Sequence, residues 1–226
     1  MTAAGTAGCL AANAVGVFDT GFETPGFVGG NVNGQSGWQT IGSVSPANSV
    51  LASVQSLIAK SGTQALKLDS SFASNDFYAF PSLPQPVLSG ILVATVDFRY
   101  ENSASGNSAF LLEAWGSLGS ARLASVAVGP DGKFFLRNMS AAPQVSPLPA
   151  LAPGEWVQLR LVMNAAVGGS VRAFANGIDL GLTGTHSGTD VTDIDLATHG
   201  FGANATQYGV SAAAGGFNAG YFDNYK

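Results

Sequence analysis

The sequence predicts an all-β protein, an antiparallel β-sandwich with little helix, and three observations lead to this prediction. Apolar and polar residues alternate with the period of a strand in most of the apolar segments. Gly, Pro and Asn separate these segments at short intervals, as turns do. The 30 Gly and 10 Pro are scattered without a repeat, which suits a loop-rich β protein and not collagen. Many short strands joined by such turns are typical of a sandwich.

The alternating segments predict strands, and the residues between them predict turns. A Gly-Pro-Asp-Gly turn ending at Gly132 precedes one strand and predicts a hairpin there, and Asn176-Gly177 predicts a tight turn after another. The segment 51–59 fits a helix about as well as a strand. The segment 141–153 carries four prolines and is predicted to cross the surface between strands. Strands are predicted at 92–101, 109–115, 122–128, 133–138, 156–163, 170–175 and 221–225.

Composition excludes several classes of function. The net charge is −5 and the nine Lys and Arg are dispersed, whereas nucleic-acid binding needs clustered cations. No apolar run approaches the eighteen residues of a membrane span. Cys9 is the only cysteine, so neither an internal disulfide nor a cysteine metal cluster is possible. Charged residues make up only 10%, which indicates either a large core under a Ser/Thr/Asn surface or apolar surface buried against other subunits.

The first sixteen residues look unlike the rest of the chain. Ala12-Asn13-Ala14 has the small residues of a signal-peptidase site, but no Lys or Arg precedes it. Residues 1–16 are therefore predicted to be either a remnant of an export signal or an apolar arm that docks elsewhere. Residues 17–226 are predicted to form a single domain, since β-sandwiches of this length commonly do.

An ordered series of short motifs resembles a known family. Phe22-Glu23 opens the series, Gly34 to Trp38 follows, and Ser61 to Leu68 is a turn entering a strand. Gly154-Glu155-Trp156, Ala175-Asn176-Gly177 and the terminal 220–225 complete it. Over about 17–226, the chain resembles bacterial secreted domains of the concanavalin A-like lectin/glucanase (laminin-G-like jelly-roll) superfamily. The resemblance implies a jelly roll whose first and last strands are neighbours.

That pairing implies a site where the two ends of the chain meet. It would bring Asp19 or Glu23 close to Asp223. Oxygen ligands gathered in this way hold a structural Ca²⁺ in related jelly rolls, with backbone carbonyls completing the coordination. The alternative is that Glu23 and Asp223 only cap turns at the rim of a sheet.

The superfamily includes glucanases and polysaccharide lyases, which need different catalytic residues. Retaining glucanases carry an E-x-D-x-E strand, and none of Glu23, Glu101, Glu113 and Glu155 lies in one. Polysaccharide lyases need an Arg/Gln set that neutralises the carboxylate of a uronate and a His/Tyr pair for proton transfer. The candidates for such a lyase are Arg99, Arg160, His199 and Tyr208, although the strand motifs of the lyases are missing.

One cluster of acids, Asp190, Asp193 and Asp195, does not have the spacing of an EF-hand loop. We interpret it either as a second cation site or as a solubilising strand entrance.

These observations leave three hypotheses for function. The first is a secreted, non-catalytic module, extracellular or at the cell surface, that binds a polysaccharide or cell-surface glycan through Trp38, Trp115 or Tyr208. The second is a structural subunit of a fibre, sheath or surface layer, which associates with other copies through its N-terminal arm. The third is a polysaccharide lyase.

Overall fold

The computed structural model describes residues 18–42, 51–69, 76–102, 108–116, 121–138, 142–199, 207–208 and 218–226. These residues form fifteen β-strands and no helix, which confirms the predicted all-β class. The first eight strands are β1 (Gly30–Asn31), β2 (Trp38–Gly42), β3 (Ala52–Gln55), β4 (Ala65–Asp69), β5 (Asp76–Val87), β6 (Ile91–Asn102), β7 (Ala109–Gly116) and β8 (Ala121–Val128). The others are β9 (Phe134–Asn138), β10 (Gln144–Val145), β11 (Val157–Asn164), β12 (Ser170–Ala175), β13 (Ile178–Thr185), β14 (Val191–His199) and β15 (Asn218–Asp223).

The strands form two antiparallel sheets, as the sandwich prediction requires. One sheet has eight strands in the order β1-β3-β4-β15-β6-β11-β12-β13. The other has seven strands in the order β10-β9-β8-β7-β14-β5-β2. Each sheet mixes strands that are distant in the chain, so side chains far apart in sequence meet on one face.

Alternation along the strands places the core between the two sheets. In β11, Val157, Leu159, Leu161 and Met163 are buried in this core, and the residues between them point away from it. The same alternation in β7 buries Phe110, Leu112 and Ala114. All seven predicted strands are present, and in six of them each end lies within one residue of the predicted position. The seventh, predicted at 221–225, is β15, which begins three residues earlier and ends two residues earlier.

Of the four strands of the seven-stranded sheet that the sequence did not predict, β14 and β5 are the longest. The acid cluster of Asp190, Asp193 and Asp195 indicates either a cation site or a solubilising strand entrance, and the structure places Asp193 and Asp195 within β14. β5 was not predicted, because Pro81, Pro84 and Pro86 cannot donate to a ladder and usually exclude a strand interior. β2 pairs with β5 only as far as Pro81, and the ladder to β14 shifts register beyond that point, so these prolines lie where few ladder donors are needed.

The ambiguous segment 51–59 also contains a strand, β3, whose residues pair with β4. No helix in the described part of the chain is long and apolar enough to cross a membrane. The predicted arm, residues 1–16, lies outside the described residues.

Candidate binding cleft

The outer face of the seven-stranded sheet carries a concentration of charged and aromatic side chains. In β14, Ile194 and Leu196 enter the core, so Asp193, Asp195 and His199 point to the opposite, outer face. Strand pairing brings partners from β7 to the same face, since residues that are directly opposite share a face. Asp193 lies opposite Trp115, and Asp195 lies opposite Glu113.

A buried ion cluster forms the floor of this face. Glu113 is 0% exposed, and its carboxylate accepts hydrogen bonds from Arg122 Nε (3.2 Å) and Trp115 Nε1 (3.0 Å). His199, also 0% exposed, lies between two carboxylates, with Nδ1 2.9 Å from Asp76 Oδ1 and Nε2 3.2 Å from Glu113 Oε1. One fully desolvated carboxylate is thus shared by a guanidinium, an imidazole and an indole.

The cluster favours the charged form of each of its members. Burial alone would raise the pKa of Glu113, but the Arg122 charge and His199 outweigh it, so the pKa is lowered. Burial alone would lower the pKa of His199, and attraction to Glu113 and Asp76 raises it instead. The pKa of Arg122 is raised in the same way by Glu113, against the effect of its own burial.

Aromatic rings surround the ion cluster. Tyr78, from β5, makes edge contacts with Trp115 (ring centroids 5.6 Å apart) and with His199 (5.8 Å). The guanidinium carbon of Arg122 lies 5.2 Å from the centre of the Trp115 ring. Tyr78 and Trp115 are both half-buried, so each ring is held by the cluster on one side and reaches solvent on another.

A cleft of about 420 Å³ opens above these rings. Its walls include the aromatic rings of Tyr78, Phe80 and Trp115. Its polar lining comes from the amides of Gln39 and Gln85, the hydroxyl of Thr192 and the carboxylates of Asp193 and Asp195. Among the residues described, the lining includes no Lys or Arg. A concave site with a few convergent polar groups on apolar walls is typical of ligand sites.

Asp195 is the unusual group in this lining. Its side chain is nearly buried, and within the described part of the chain its Oδ1 accepts no hydrogen bond. Burial raises its pKa well above the ordinary range, and the neighbouring Glu113 and Asp193 charges add to that effect. Asp193 differs, because it is more exposed and accepts a hydrogen bond from Thr192 Oγ1 at 2.8 Å.

The four lyase candidates are not brought together. His199 and Tyr208 do meet, with ring centroids 5.9 Å apart, and the Tyr208 hydroxyl lies 3.1 Å from Ser125 Oγ. Arg99 and Arg160 instead lie on β6 and β11 of the eight-stranded sheet, and their outward position puts the whole sandwich between them and His199. Grouping these four was wrong, because strand order, which the sequence does not show, separates them.

The three aromatic candidates have three different environments. Trp38 is 0% exposed and packs in the core against Phe22 and Tyr225, so it cannot stack on a ligand as predicted. Tyr208 is also 0% exposed and packs against Phe135, which likewise leaves no free ring face. Trp115 alone lines the cleft.

Glu113, Arg122 and Tyr78 were not predicted as residues of the site, and Asp193, Asp195 and His199 were singled out only for other roles. One signal for the shared face is the alternation of 191–199, where Asp193, Asp195 and His199 occupy one side of the strand. A second signal is the single carboxylate of Glu113 inside the apolar run AFLLEAW. No pattern marked Tyr78, which lies in the proline-containing β5, or Arg122.

The two ends of the chain meet, although the first and last strands of the described residues are not neighbours as the resemblance implied, because β3 and β4 lie between β1 and β15. Thr20 and Tyr225 exchange backbone hydrogen bonds of 2.9 and 2.8 Å. Glu23 accepts hydrogen bonds from the backbone N–H groups of Thr63 (2.8 Å) and Gln64 (2.9 Å). Asp223 Oδ2 accepts them from Lys60 and Ser61, both at 2.9 Å. The two carboxylates therefore anchor the loop 60–64 to the ends of the chain.

The close approach to this loop explains one glycine. A Cβ atom on Gly62 would lie 2.3 Å from Glu23 Oε1, and the residue has φ of +62°. Asp19 is not part of the arrangement, since its exposed carboxylate pairs with Lys226 Nζ at 3.2 Å. No group of three or more His, Cys, Asp or Glu side chains that could hold a metal ion occurs among the described residues. Backbone N–H donors face Glu23 and Asp223, and the Ca²⁺ site stays a prediction.

We expect Asp223→Ala to lower the free energy of unfolding by about 1–3 kcal/mol, because the partly buried backbone donors of Lys60 and Ser61 lose a charged acceptor. The same loss should occur with and without a chelator, measured by urea denaturation. Asp19→Ala is the matched control and should change stability by less than about 1 kcal/mol, since its ion pair is exposed. A chelator that destabilises the wild type by several degrees and leaves Asp223→Ala unchanged would instead support Ca²⁺.

Comparison with known proteins gives structural matches only. No protein-family model and no curated protein matches the sequence. A β-glucanase from Bacillus licheniformis is similar in structure, with a TM-score of 0.59 at 12% identity over 94% of this chain and 98% of that one. An endo-β-1,4-glucuronan lyase from Trichoderma reesei has a TM-score of 0.55 at 12% identity over 92% of each chain. The cellulose-induced protein Cip1 has a TM-score of 0.53 at 14% identity over 88% of this chain and 95% of that one.

The chain has the concanavalin A-like jelly-roll fold. At these identities the likeness concerns the fold alone, because one scaffold carries many chemistries. This jelly roll is therefore shared with enzymes that act on glycans, and its function has to be argued from its own cleft.

Proposed function

We propose that this protein is an extracellular glycan-binding jelly roll that holds a saccharide in the cleft between β5, β7 and β14. The observation that carries the proposal is the cleft itself, in which half-buried Tyr78 and Trp115 stand beside polar groups that can bond sugar hydroxyls. Saccharide rings pack on aromatic faces and present hydroxyls at their edges, and a cleft with both kinds of group suits them. The fold shared with glycan-active proteins agrees with this choice of ligand.

The ion cluster beneath the cleft supports binding by holding the rings in place. Trp115 Nε1 donates to Glu113, and Tyr78 packs at right angles against both Trp115 and His199. A ring that is already fixed loses little conformational entropy when a ligand stacks on it. We therefore assign Glu113, Arg122 and His199 a positioning role and not contact with the glycan.

Electrostatics disfavours the lyase alternative. β-Elimination from a uronate requires the substrate carboxylate to be neutralised, whereas the described lining presents Asp193 and Asp195 and no cation. Arg122 lies nearby, but its guanidinium is engaged by Glu113. An anionic polysaccharide entering this cleft would meet like charge.

The states of His199 and Tyr78 also disfavour a lyase, which needs groups that transfer protons. His199 is fully buried with a raised pKa and paired to two carboxylates, so it is no free base. Burial and the Glu113 and Asp76 charges raise the pKa of Tyr78, so its hydroxyl stays protonated and the phenolate that could act as a base is not populated. We expect no increase in ultraviolet absorbance when the protein is incubated with alginate or glucuronan. A sustained increase that is lost in Tyr78→Phe would favour the lyase.

We expect Trp115→Ala to weaken binding of a glycan identified on an oligosaccharide array by about tenfold or more, as truncating a central aromatic residue commonly does. Isothermal titration calorimetry measures the loss. The matched control is Phe174→Ala, which removes an aromatic ring from the outer face of the other sheet and should leave affinity unchanged. Equal losses in the two variants would show that the cleft is not the binding site.

Self-assembly remains the second hypothesis, since its predicted arm lies outside the described residues. The edge of the eight-stranded sheet that β13 forms is protected against the addition of a further strand. The carbonyls of Leu180, Thr183 and Thr185 on the edge strand β13 accept hydrogen bonds from the side chains of Ser146, Gln144 and Asn138. Light scattering of the full chain tests the hypothesis, since ordered polymers would favour a structural subunit and a monodisperse monomer would favour the binding module.

A further inference from the structure

The charge of the cleft restricts the class of saccharide further than its shape does. Asp193 and Asp195 both line it, Glu113 lies directly opposite Asp195 on the neighbouring strand, and no cation is present in the described lining. Opposite residues in an antiparallel pair have Cβ atoms only about 5 Å apart. Three acids are therefore concentrated on one face of the sheet, and only Glu113 has cationic partners.

The carboxyl group of Asp195 has an oxygen without a hydrogen-bond donor. Asp195 is 5% exposed, and within the described residues its Oδ1 accepts no hydrogen bond. A buried oxygen without a donor makes the charged carboxylate costly, so a cation placed against the part of Asp195 that lines the cleft gains more than it would beside an exposed carboxylate. A charged N–H donor gains most, because hydrogen bonds between ions are the strongest kind.

The aromatic walls fit the same ligand. Ring faces attract cations, and the effect grows when water is excluded. Tyr78 and Trp115 lie at right angles to each other in the cleft and leave an aromatic corner beside Asp193. A metal ion would need more oxygen ligands, and no group of three or more candidate ligands occurs in the described part of the chain. A cation on an organic ring suits this surface better.

We propose that the cleft binds a glycan built from amino sugars, with a protonated amine placed against Asp193 and Asp195 and the sugar ring packed on Tyr78 and Trp115. This inference rests on the proposed glycan-binding function and names its substrate class. The amine donates N–H groups to the carboxylates, and Gln39 and Gln85 lie where they can contact ring hydroxyls. No covalent step is involved.

Binding is coupled to a proton. In the free protein burial raises the pKa of Asp195, so its carboxyl group retains a proton to higher pH than an ordinary aspartate. A bound ammonium group favours the carboxylate, and the carboxyl proton is then released to solvent. Affinity should therefore rise with pH through the pKa of Asp195 and fall again when the amine of the ligand loses its own proton.

The charged and titratable groups around Asp195 are known from the elements that pack on it. β7 contributes Glu113, β8 contributes Arg122, and Asp193 lies on the same strand; Glu113 and Asp193 raise the pKa of Asp195 and Arg122 lowers it. Tyr225 approaches from the core side, where its hydroxyl donates to the carbonyl of Ile194. Tyr78 of β5 lines the cleft beside it. Only Asp193 and Asp195 are both acidic and part of the lining.

The test compares two linear tetrasaccharides with the same β-1,4 linkage, a glucosamine tetramer and cellotetraose. Calorimetry across a pH series, in two buffers of different ionisation enthalpy at each pH, gives affinity and the number of protons exchanged. We expect the wild type to bind the glucosamine tetramer about tenfold or more tightly than cellotetraose, and to release protons only with the former, at pH values where the ligand amine is fully protonated and the free protein still holds the Asp195 proton. Asp195→Asn, which conserves shape, should lose the proton release and most of the preference.

The outcomes separate this inference from the proposed function. Equal affinity for the two tetramers, or a preference that persists in Asp195→Asn without proton release, would overturn the amino-sugar inference while leaving glycan binding intact. Absence of binding to both tetramers and to every glycan on an array would overturn the proposed function as well. If Asp195→Asn fails to fold, Asp193→Asn serves in its place, and the preference should fall there too. Added salt should weaken the glucosamine tetramer more than cellotetraose, which checks that charge is responsible.

Discussion

Glu113→Ala is expected to lower the free energy of unfolding by about 3–5 kcal/mol, the range seen when one partner of a buried ion pair is removed. Glu113 is fully buried and is shared by Arg122, His199 and Trp115. The truncation leaves a guanidinium whose side chain is only 8% exposed without its carboxylate. Urea denaturation followed by tryptophan fluorescence or circular dichroism measures the loss.

Glu101→Ala is the matched control. Glu101 also pairs with an arginine on its own sheet, Arg99, but the side chain is 43% exposed. An exposed pair contributes about 0–1 kcal/mol, so this variant should be close to the wild type. Similar losses in the two variants would contradict the view that burial gives the Glu113 cluster its importance. Because the pKa of Glu113 is lowered in the folded protein, its stabilisation is present above its unfolded pKa and is lost as pH falls through the folded value.

Trp38→Ala is expected to cost about 3–5 kcal/mol, as for other large aromatic residues removed from a core. The Trp38 ring is 0% exposed and makes edge contacts with Phe22, Phe18 and Tyr225, at centroid distances of 5.0, 6.1 and 5.4 Å. These contacts join the first described segment of the chain to its last strand region. Loss of the ring therefore weakens the closure of the sandwich as well as its packing.

The same variant separates the two tryptophan environments. Folded Trp38→Ala protein, obtained at low temperature, should bind the glycan with the affinity of the wild type. Trp115→Ala should lose affinity and should lose less stability than Trp38→Ala does. Trp38→Phe keeps an aromatic ring and should recover part of the stability. A loss of affinity in Trp38→Phe at full stability would mean that Trp38 contacts the ligand after all.

Strands can be predicted from the sequence, whereas the arginine that belongs to the site cannot. Alternation in 92–101 or 156–163 depends on local chemistry, so it is visible in the sequence. Arg99 and Arg160 look as suitable for a site as Arg122 does, because all three are arginines on strands. What distinguishes Arg122 is that its strand β8 pairs with β7, which carries Glu113, and this pairing is a long-range property.

Strand β5 could not be predicted from the sequence because it contains three prolines. Pro81, Pro84 and Pro86 remove three donors and would normally argue against a strand, yet β5 provides Tyr78 and one wall of the cleft. Its tolerance of proline depends on where β2 stops pairing and where the β14 ladder shifts register. Neither feature can be inferred from the residues of β5 themselves.

The sequence by itself determined the all-β class and about half of the fifteen strands, because turn chemistry and period-2 alternation are local properties. The order of its motifs indicated, through the resemblance to a known family, that the two chain ends meet. Tertiary structure alone decided which side chains share a surface. It placed Trp38 in the core and Trp115 in a cleft, set Glu23 and Asp223 on backbone donors of one loop, and brought Glu113, Arg122, His199 and Asp195 together on one face. The physical reason is that the pKa and the role of a buried charged group depend on partners supplied by other strands. Strand order, which brings those partners together, is a property of the whole fold.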